Sequence, residues 1–377
     1  MGMIFTTPAQ SKYASLVVDA ETGIELYARN ADTKNFPASL TKIMTLYMIF
    51  DALERRKWNL KTRLKVSRRA SRQPQTRLGV KRGRTISVRT AILALITRSA
   101  NDVATVVAEN MSGSERAFAR KMTVKARSIG MRATTFRNAS GLPNRGQLST
   151  ARDMAKLAIS IRRDFPQFYH FFKTKKFRYR GRTFRNHNML LGRYSGTDGI
   201  KTGYTNASGY NLVASVRRKG QHLIGVVFGG RTGPRRDRHM VNLLDKSFWK
   251  LDRLAKLSPP KPRINPLGKS IYLSRSDFSE RSRSIGANWG IQVGAYSSDK
   301  PARLMIQLVR KHLKIDSKLI YNRVEKVERT HGVIFRARLL GMGERQARKA
   351  CASLVVKHLP CVPVPMNIEL ARAPTAR

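Results

Sequence analysis

Tyr13-Ala14-Ser15-Leu16-Val17-Val18-Asp19 is apolar and β-branched, Glu21-Thr22-Gly23 supplies a turn, and Ile24-Glu25-Leu26-Tyr27-Ala28 follows, which predicts a hairpin. From Ser39 to about Arg56 the period changes: Leu40, Ile43, Met44, Leu46, Tyr47, Phe50 and Leu53 recur at helical spacing nearly all round, as in a buried helix, and Pro37 bars anything before it. Thr90 to Met111 reads as two helical segments broken around Ser99-Ala100-Asn101-Asp102. Asn138 to Asn144 is a loop, and Ser149 with Asp153 opens a helix through Ile161. Tyr210 to Val216 and Leu223 to Gly229 are strands separated by Arg217-Arg218-Lys219-Gly220, and Arg238 to Leu254 is an amphipathic helix. Strands at both ends with helices between predict one sheet assembled from the two ends of the segment and covered by a helical insertion.

The pattern then breaks. Ser258-Pro259-Pro260-Lys261-Pro262 and a Ser/Arg-rich run from Ser274 to Ser284 have the composition of a flexible linker. Beyond it come a strand from Trp289 to Tyr296, a helix from Lys300 to Leu313, strands from Tyr321 to Val327 and Gly332 to Leu339, a helix from Glu344 to Lys357 and a short strand from Cys361 to Pro365. This βαββαβ order predicts a small four-stranded sheet with two helices on one face and the other face free for a ligand. The divisions are therefore 11–255, a linker at 256–286, and 287–365.

A length of 377 residues and 41% hydrophobic content suit two globular domains. The formal net charge of +51 attracts any polyanion at low salt. The cations are scattered along the whole chain, with no zinc-finger spacing, no basic region followed by heptads and no aromatic RNA-binding motif, so no specific nucleic-acid partner is expected. A solvated basic surface suited to an anionic cell envelope is the simpler reading. No apolar run approaches the roughly 18 residues of a membrane span. Met1 to Gln10 is too short for a complete secretory signal, so either a signal was removed or misassigned upstream or the protein is cytoplasmic.

Three short strings carry the candidate chemistry. Ser39 and Lys42, three apart at a helix start, share one face within hydrogen-bonding reach. A serine hydroxyl needs a base to take its proton, and a lysine serves only if burial and positive neighbours depress its pKa. Ser-x-x-Lys occurs by chance in most long proteins, so the string gains meaning from its companions. Ser99-Ala100-Asn101 adds a second hydroxyl and an amide. Lys201-Thr202-Gly203 is strand-like: Gly203 lets a substrate backbone approach, and Lys201 offers a fixed charge suited to a peptide carboxylate. Together they equip a serine acyl-transfer enzyme that works without histidine.

Pro37-Ala38-Ser39-Leu40-Thr41-Lys42, Ser99-Ala100-Asn101-Asp102, Asn138 to Pro143 and Asp198-Gly199-Ile200-Lys201-Thr202-Gly203-Tyr204-Thr205 resemble the signature strings of the low-molecular-mass penicillin-binding proteins, the serine-type D-alanyl-D-alanine carboxypeptidases. The resemblance covers about Lys12 to Leu254. It implies an α/β (α+β) β-lactamase/transpeptidase-like domain with an antiparallel sheet and a helical insertion. By the same resemblance Ser39 is the acylated nucleophile, Lys42 its general base, and Ser99 with Asn101 a proton-relay and orienting pair. Lys201 and Thr202 hold the substrate's terminal carboxylate or its β-lactam equivalent, and the backbone N–H groups of Ser39 and Tyr204 form the oxyanion hole. Gly141 and Pro143 shape a loop, while Arg98, Asp102 and Arg185 are either supporting residues or solvated surface charges.

No cofactor or metal is implied. The expected partners are peptidoglycan, as muropeptide substrate and glycan strands, and β-lactams as covalent inhibitors. Class A β-lactamases have Ser-Asp-Asn as the second string and a deacylating glutamate; this chain has Ser-Ala-Asn and no glutamate in Asn138 to Pro143, so slow β-lactam release is expected. A DD-endopeptidase acting on cross-links shares every motif, and a class A-like β-lactamase or a glycan-binding protein with a relic site are further alternatives.

The C-terminal unit resembles a SPOR domain, a module that binds glycan strands lacking stem peptides, through Trp289 to Tyr296 and Phe335 to Gly341. An ordinary ferredoxin-like accessory domain is the alternative. Gln292 and Tyr296 are candidates to face sugar rings, although strand aromatics more often lie in the core. A periplasmic location follows from the implied function, and in that compartment Cys351 and Cys361 could persist as a disulfide between the last helix and strand, two buried free thiols being the alternative.

Overall fold

The computed structural model describes residues 13–256, 289–296, 298–313, 320–329, 332–356 and 359–365. Strand β1 (Ala14–Asp19) is buried at all but its last residue because it is an inner strand covered on both faces. It pairs with β2 (Glu25–Arg29) on one side and, across the length of the domain, with β9 (Gln221–Gly230) on the other. β8 (Gly209–Arg218) and β7 (Thr197–Thr205) complete an antiparallel sheet of order β2-β1-β9-β8-β7. One face is covered by α6 (Ala151–Asp164), the other by α8 (Gly233–Lys256). The two-sided cover explains why β8 and β9 are apolar without alternation.

The chain between β2 and β7 is the helical insertion. Helix α1 (Thr41–Glu54) is buried on every side, packed against α3 (Val88–Thr97), α4 (Asn101–Ser112), α5 (Glu115–Ser128) and α6. Side-chain oxygens satisfy helix-start amides: Ser87 accepts from Thr90 N at 3.1 Å and Thr150 from Asp153 N at 3.1 Å. The cap of α6 is thus Thr150, one residue after the expected Ser149.

Two differences from the sequence expectations bear on the site. Ser39 is not the first residue of α1; it sits in a 3-10 turn, Ala38–Leu40, that leads into it. Helix α8 begins at Gly233, five residues earlier than expected, because Thr232 Oγ1 accepts from Arg235 N and Pro234 falls in a first turn whose amides need no helical partner. The insertion also carries two small hairpins, β3 (Arg63–Lys65) with β4 (Thr85–Ser87) and β5 (Lys176–Tyr179) with β6 (Arg182–Arg185), and two one-turn helices, α2 (Arg68–Ser71) and α7 (Leu190–Arg193).

Residues 257–286 of the expected linker lie outside the described residues, and Lys256 closes α8. The C-terminal unit has β10 (Trp289–Tyr296), α9 (Asp299–His312), β11 (Tyr321–Arg329), β12 (Gly332–Met342), α10 (Glu344–Val356) and β13 (Val362–Pro365), with antiparallel sheet order β11-β12-β10-β13. Ile291, Val293, Ala337 and Leu339 from the sheet share one core with Met305 and Val309 of α9 and Ala350 and Leu354 of α10. Tyr296 belongs to that core at 4% exposure, its hydroxyl donating to Val293 O at 2.9 Å, so it does not face a sugar. Gln292 faces the other way, and its Oε1 accepts from Arg338 at 3.2 Å.

Cys351 and Cys361 are disulfide-bonded with Cα atoms 5.1 Å apart and a sequence separation of 10. A loop that short is expected to contribute about 2–3 kcal/mol to the C-terminal unit. Thermal unfolding of the full chain with and without reductant checks this: the C-terminal transition falls in the reduced sample while the larger unit's does not move.

Candidate active site

Ser39 sits on a backbone bent out of the usual range. Ala38, just before it, has φ +47°, and Gly141 (φ +87°) presses against the same turn: a Cβ on Gly141 would lie 1.8 Å from Ala38 O. Gly203 of β7 closes in from the other side, where a Cβ would meet Ser39 N at 3.1 Å and Pro37 O at 3.0 Å. Two glycines thus let a loop and an edge strand contact the Ser39 backbone itself. Gly141 therefore fixes the Ser39 turn as well as shaping its own loop.

Lys42 lies one helical turn on, with no solvent exposure. Its Nζ is 2.9 Å from Ser39 Oγ, 2.8 Å from Asn101 Oδ1 and 2.5 Å from Ser140 O. Asn101 is oriented for this, since its Nδ2 donates to Pro74 O and Gln75 O, both at 3.1 Å, which turns its oxygen to the lysine. Burial, and then the positive charge of Lys201, hold the Lys42 ammonium well below the usual lysine range; Asp102 and Glu115 oppose the shift. A neutral Lys42 has two N–H bonds for Asn101 and Ser140, leaving its lone pair for the Ser39 proton.

Ser99 opens the turn before α4 with φ +58°, held by Thr76 Oγ1 donating to Ser99 O at 2.9 Å and by Asn101 N donating to Thr76 O at 2.7 Å. Its Oγ is buried and has no hydrogen-bond partner among the described residues, although the residue lines the cleft. Asp102 is not a surface charge. Fully buried, its carboxylate accepts from the amides of Leu78, Gly79 and Val80 at 2.9, 2.8 and 3.2 Å, pinning the segment that carries Gln75 and Thr76. Arg98 donates to Arg77 O at 3.3 Å, Arg185 is exposed, and neither lines the cleft.

Lys201 on β7 is 1% exposed and donates to Thr202 O at 2.9 Å. No carboxylate pairs with it among the described residues. Burial, and then repulsion from Arg236, lower its pKa to about 7. Arg236, on the first turn of α8, was not anticipated from the sequence; it is 5% exposed, donates to Asn211 O at 3.0 Å and holds Asp237 at 2.7 Å. Fully buried Asn211 also donates to Phe36 O at 3.1 Å and accepts from Gly229 N at 3.0 Å. Around these groups runs a cleft of about 1200 Å³ lined by Ser39, Ser99, Asn101, Thr202, Tyr204 and Arg236, among others. It joins a hydroxyl beside a depressed amine to a cationic end, suiting acyl transfer on a substrate with a terminal carboxylate.

A Ser-His-Asp trio elsewhere does not serve this chemistry. Ser215 Oγ donates to Asp198 at 2.5 Å and lies 2.7 Å from His222 Nε2, all three buried and outside the cleft lining. With its hydroxyl committed to the aspartate, Ser215 is a strand-to-strand tie.

Residues 3–232 match the family model Peptidase_S11, D-alanyl-D-alanine carboxypeptidase. The D-alanyl-D-alanine carboxypeptidase DacF of Bacillus subtilis (strain 168) is 32% identical over 245 residues, 64% of this chain and 63% of that protein, so this chain spans a little under two thirds of that relative's length. Penicillin binding protein 5 from Haemophilus influenzae superposes with a TM-score of 0.61 at 31% identity, covering 66% of this chain and 73% of that one. Penicillin-Binding Protein D2 from Listeria monocytogenes in its ampicillin-bound form gives a TM-score of 0.58 at 29% identity over 65% of this chain and 99% of that one.

Proposed function

Since this chain belongs to the D-alanyl-D-alanine carboxypeptidase family, Peptidase S11, we propose that it removes the terminal D-alanine from peptidoglycan pentapeptides through an acyl-serine intermediate. The observation that carries the reading is the 2.9 Å approach of the buried Lys42 amine to Ser39 Oγ. Lys42 takes the Ser39 proton as Oγ attacks the penultimate carbonyl carbon. The oxyanion falls to the N–H groups of Ser39 and Tyr204, supported by the close run of Gly203 against Ser39 N. The partnerless Ser99 hydroxyl relays the proton to the departing D-Ala nitrogen, and water then attacks the ester along the same route. Thr202 and Lys201, with Arg236 beside them, take the terminal carboxylate. A β-lactam enters as a carboxylate-bearing mimic and stays as the ester. Incubation with a labelled penicillin followed by mass mapping, alongside D-Ala release from a D-Ala-D-Ala peptide, tests the reading: an adduct on any residue but Ser39, or none, overturns it.

The anchor role of Lys201 has a pH signature. A pKa of about 7 means that the free enzyme loses this ammonium as pH rises through about 7, and with it the attraction for a carboxylate. kcat/KM for a peptide with a free C-terminus is expected to fall above that pH, while kcat holds to higher pH because the bound carboxylate stabilises the ammonium. The C-terminal amide of the same peptide should show no such limb; if it does, the anchor lies elsewhere.

For the C-terminal unit we propose SPOR-type binding of glycan strands in the periplasm. The support is the sheet face turned from its helices, where Gln292, Arg323, Arg336 and Arg338 stand on neighbouring strands with Glu325 paired to Arg338 at 3.0 Å. Co-sedimentation of the full chain with sacculi stripped of stem peptides tests it, and retention equal to that of an Arg323→Ala/Arg338→Ala variant would rule it out.

A further inference from the structure

Two cation-rich, acid-free segments flank one side of the cleft. Residues 55–98 hold fifteen Lys and Arg and residues 165–197 hold eight, with no Asp or Glu in either. The first segment carries the β3–β4 hairpin, the second β5–β6, and both hairpins pack on α3. Arg98, closing α3, bridges them: it donates to Arg77 O at 3.3 Å while its guanidinium lies 5.6 Å from the Phe184 ring centroid on β6. Each hairpin turns an apolar residue inward, Leu64 and Phe177, and its cations outward, with Arg63, Lys65, Lys176 and Arg178 exposed. Both segments then run into the cleft wall, the first through Gln75 and Thr76, the second through His187 and Met189.

We propose that this rim is a docking track for the carboxylates of polymeric substrate, so that the enzyme favours stem peptides presented in series on a glycan strand over isolated ones. The proposal rests on the carboxypeptidase reading, because that reading places a chain-terminal carboxylate in the cleft, and a strand whose one end sits there brings neighbouring ends past the rim. Mutual repulsion among so many cations without interleaved anions opposes folding, and an anionic polymer relieves it. Screening acts over about 8 Å at physiological ionic strength, so the attraction belongs to groups lying on the rim rather than to the chain's overall charge.

The test compares two substrates for D-Ala release: a diacetylated Lys-D-Ala-D-Ala tripeptide, whose only charge is its terminal carboxylate, and uncross-linked glycan strands bearing pentapeptides. A variant with Lys65→Glu, Arg84→Glu, Lys176→Glu and Arg178→Glu is measured at low and high NaCl. A control with Arg217→Glu and Lys219→Glu sits at the far end of β8 from the cleft-lining Tyr210. The rim variant is expected to lose about tenfold or more in kcat/KM on strands at low salt, a loss that salt erases, with the tripeptide and penicillin acylation unchanged. Equal losses on both substrates, no loss on strands, or the same loss in the control would overturn the proposal. So would loss of co-sedimentation with phosphatidylglycerol vesicles while strand kinetics hold, since the rim would then serve a lipid surface. If charge reversal prevents folding, the corresponding Gln substitutions take its place with a smaller loss expected. Wild-type failure on the tripeptide would instead refute the carboxypeptidase reading.

Discussion

Ser39→Ala is expected to yield no covalent penicillin adduct and no D-Ala release, and Lys42→Ala to form the adduct about 10²–10⁴ times more slowly than wild type. The two losses have different origins. Removing Ser39 Oγ removes the bond-forming atom from a half-buried position with little packing, so thermal unfolding should stay within about 1 kcal/mol of wild type. Removing Lys42 takes the base away and also strips Asn101 Oδ1 and Ser140 O of a donor in a buried place, each at a cost of about 1–3 kcal/mol. Lys42→Ala is therefore expected to unfold at lower temperature as well as react slowly. Labelling rates with a fluorescent penicillin, read beside unfolding curves at a temperature where both variants are folded, separate the effects. A Lys42→Ala labelling rate within tenfold of wild type would remove this lysine from the base role.

Gly141→Ala is expected to cost about 2–4 kcal/mol of stability and about a hundredfold in acylation. Its Cβ would fall 1.8 Å from Ala38 O, 2.3 Å from Ala38 C and 2.9 Å from Ser39 N, all main-chain atoms, so relief requires moving the turn that carries Ser39. Gly79 is the internal comparison. It has the same φ of +87°, but a Cβ there meets nothing within 4 Å. Gly79→Ala should lose only the conformational part, about 1 kcal/mol, with acylation intact. Equal activity losses in the two variants would show that backbone conformation, not close approach, governs the site.

These two glycines mark where sequence reading stops. Ser39 and Lys42 are legible because one helical turn relates them, and Lys201 because it stands beside Gly203 in a strand-like string that resembles a family signature. The constraint on Gly141 comes from Ala38, about a hundred positions earlier, and no local pattern encodes it. Arg236 escaped for another reason: with 74 Lys and Arg in the chain, nothing in Gly233-Pro234-Arg235-Arg236-Asp237 sets it apart, and Pro234 disguised the start of α8. The β3–β4 and β5–β6 hairpins are three and four residues a strand, with one or two inward apolar positions each, too few to show a period. Tyr296 illustrates the converse, an aromatic whose strand alternation fits either face until the helices are placed.

Asn211 gives the cleft a mechanical character. Its side chain holds Phe36 and Gly229 and its carbonyl holds Arg236, so the segment leading to Ser39 and the helix bearing the guanidinium hang from one residue of an inner strand. The Phe36 segment and the start of α8 are thereby tied to the same point of the sheet. Deuterium uptake at Gly229 should then follow unfolding of the whole domain, with a bound penicillin adding little protection there. Bracing of this kind is expected to keep that side of the cleft at working width before a ligand arrives, leaving any closure to the walls that Asn211 does not hold.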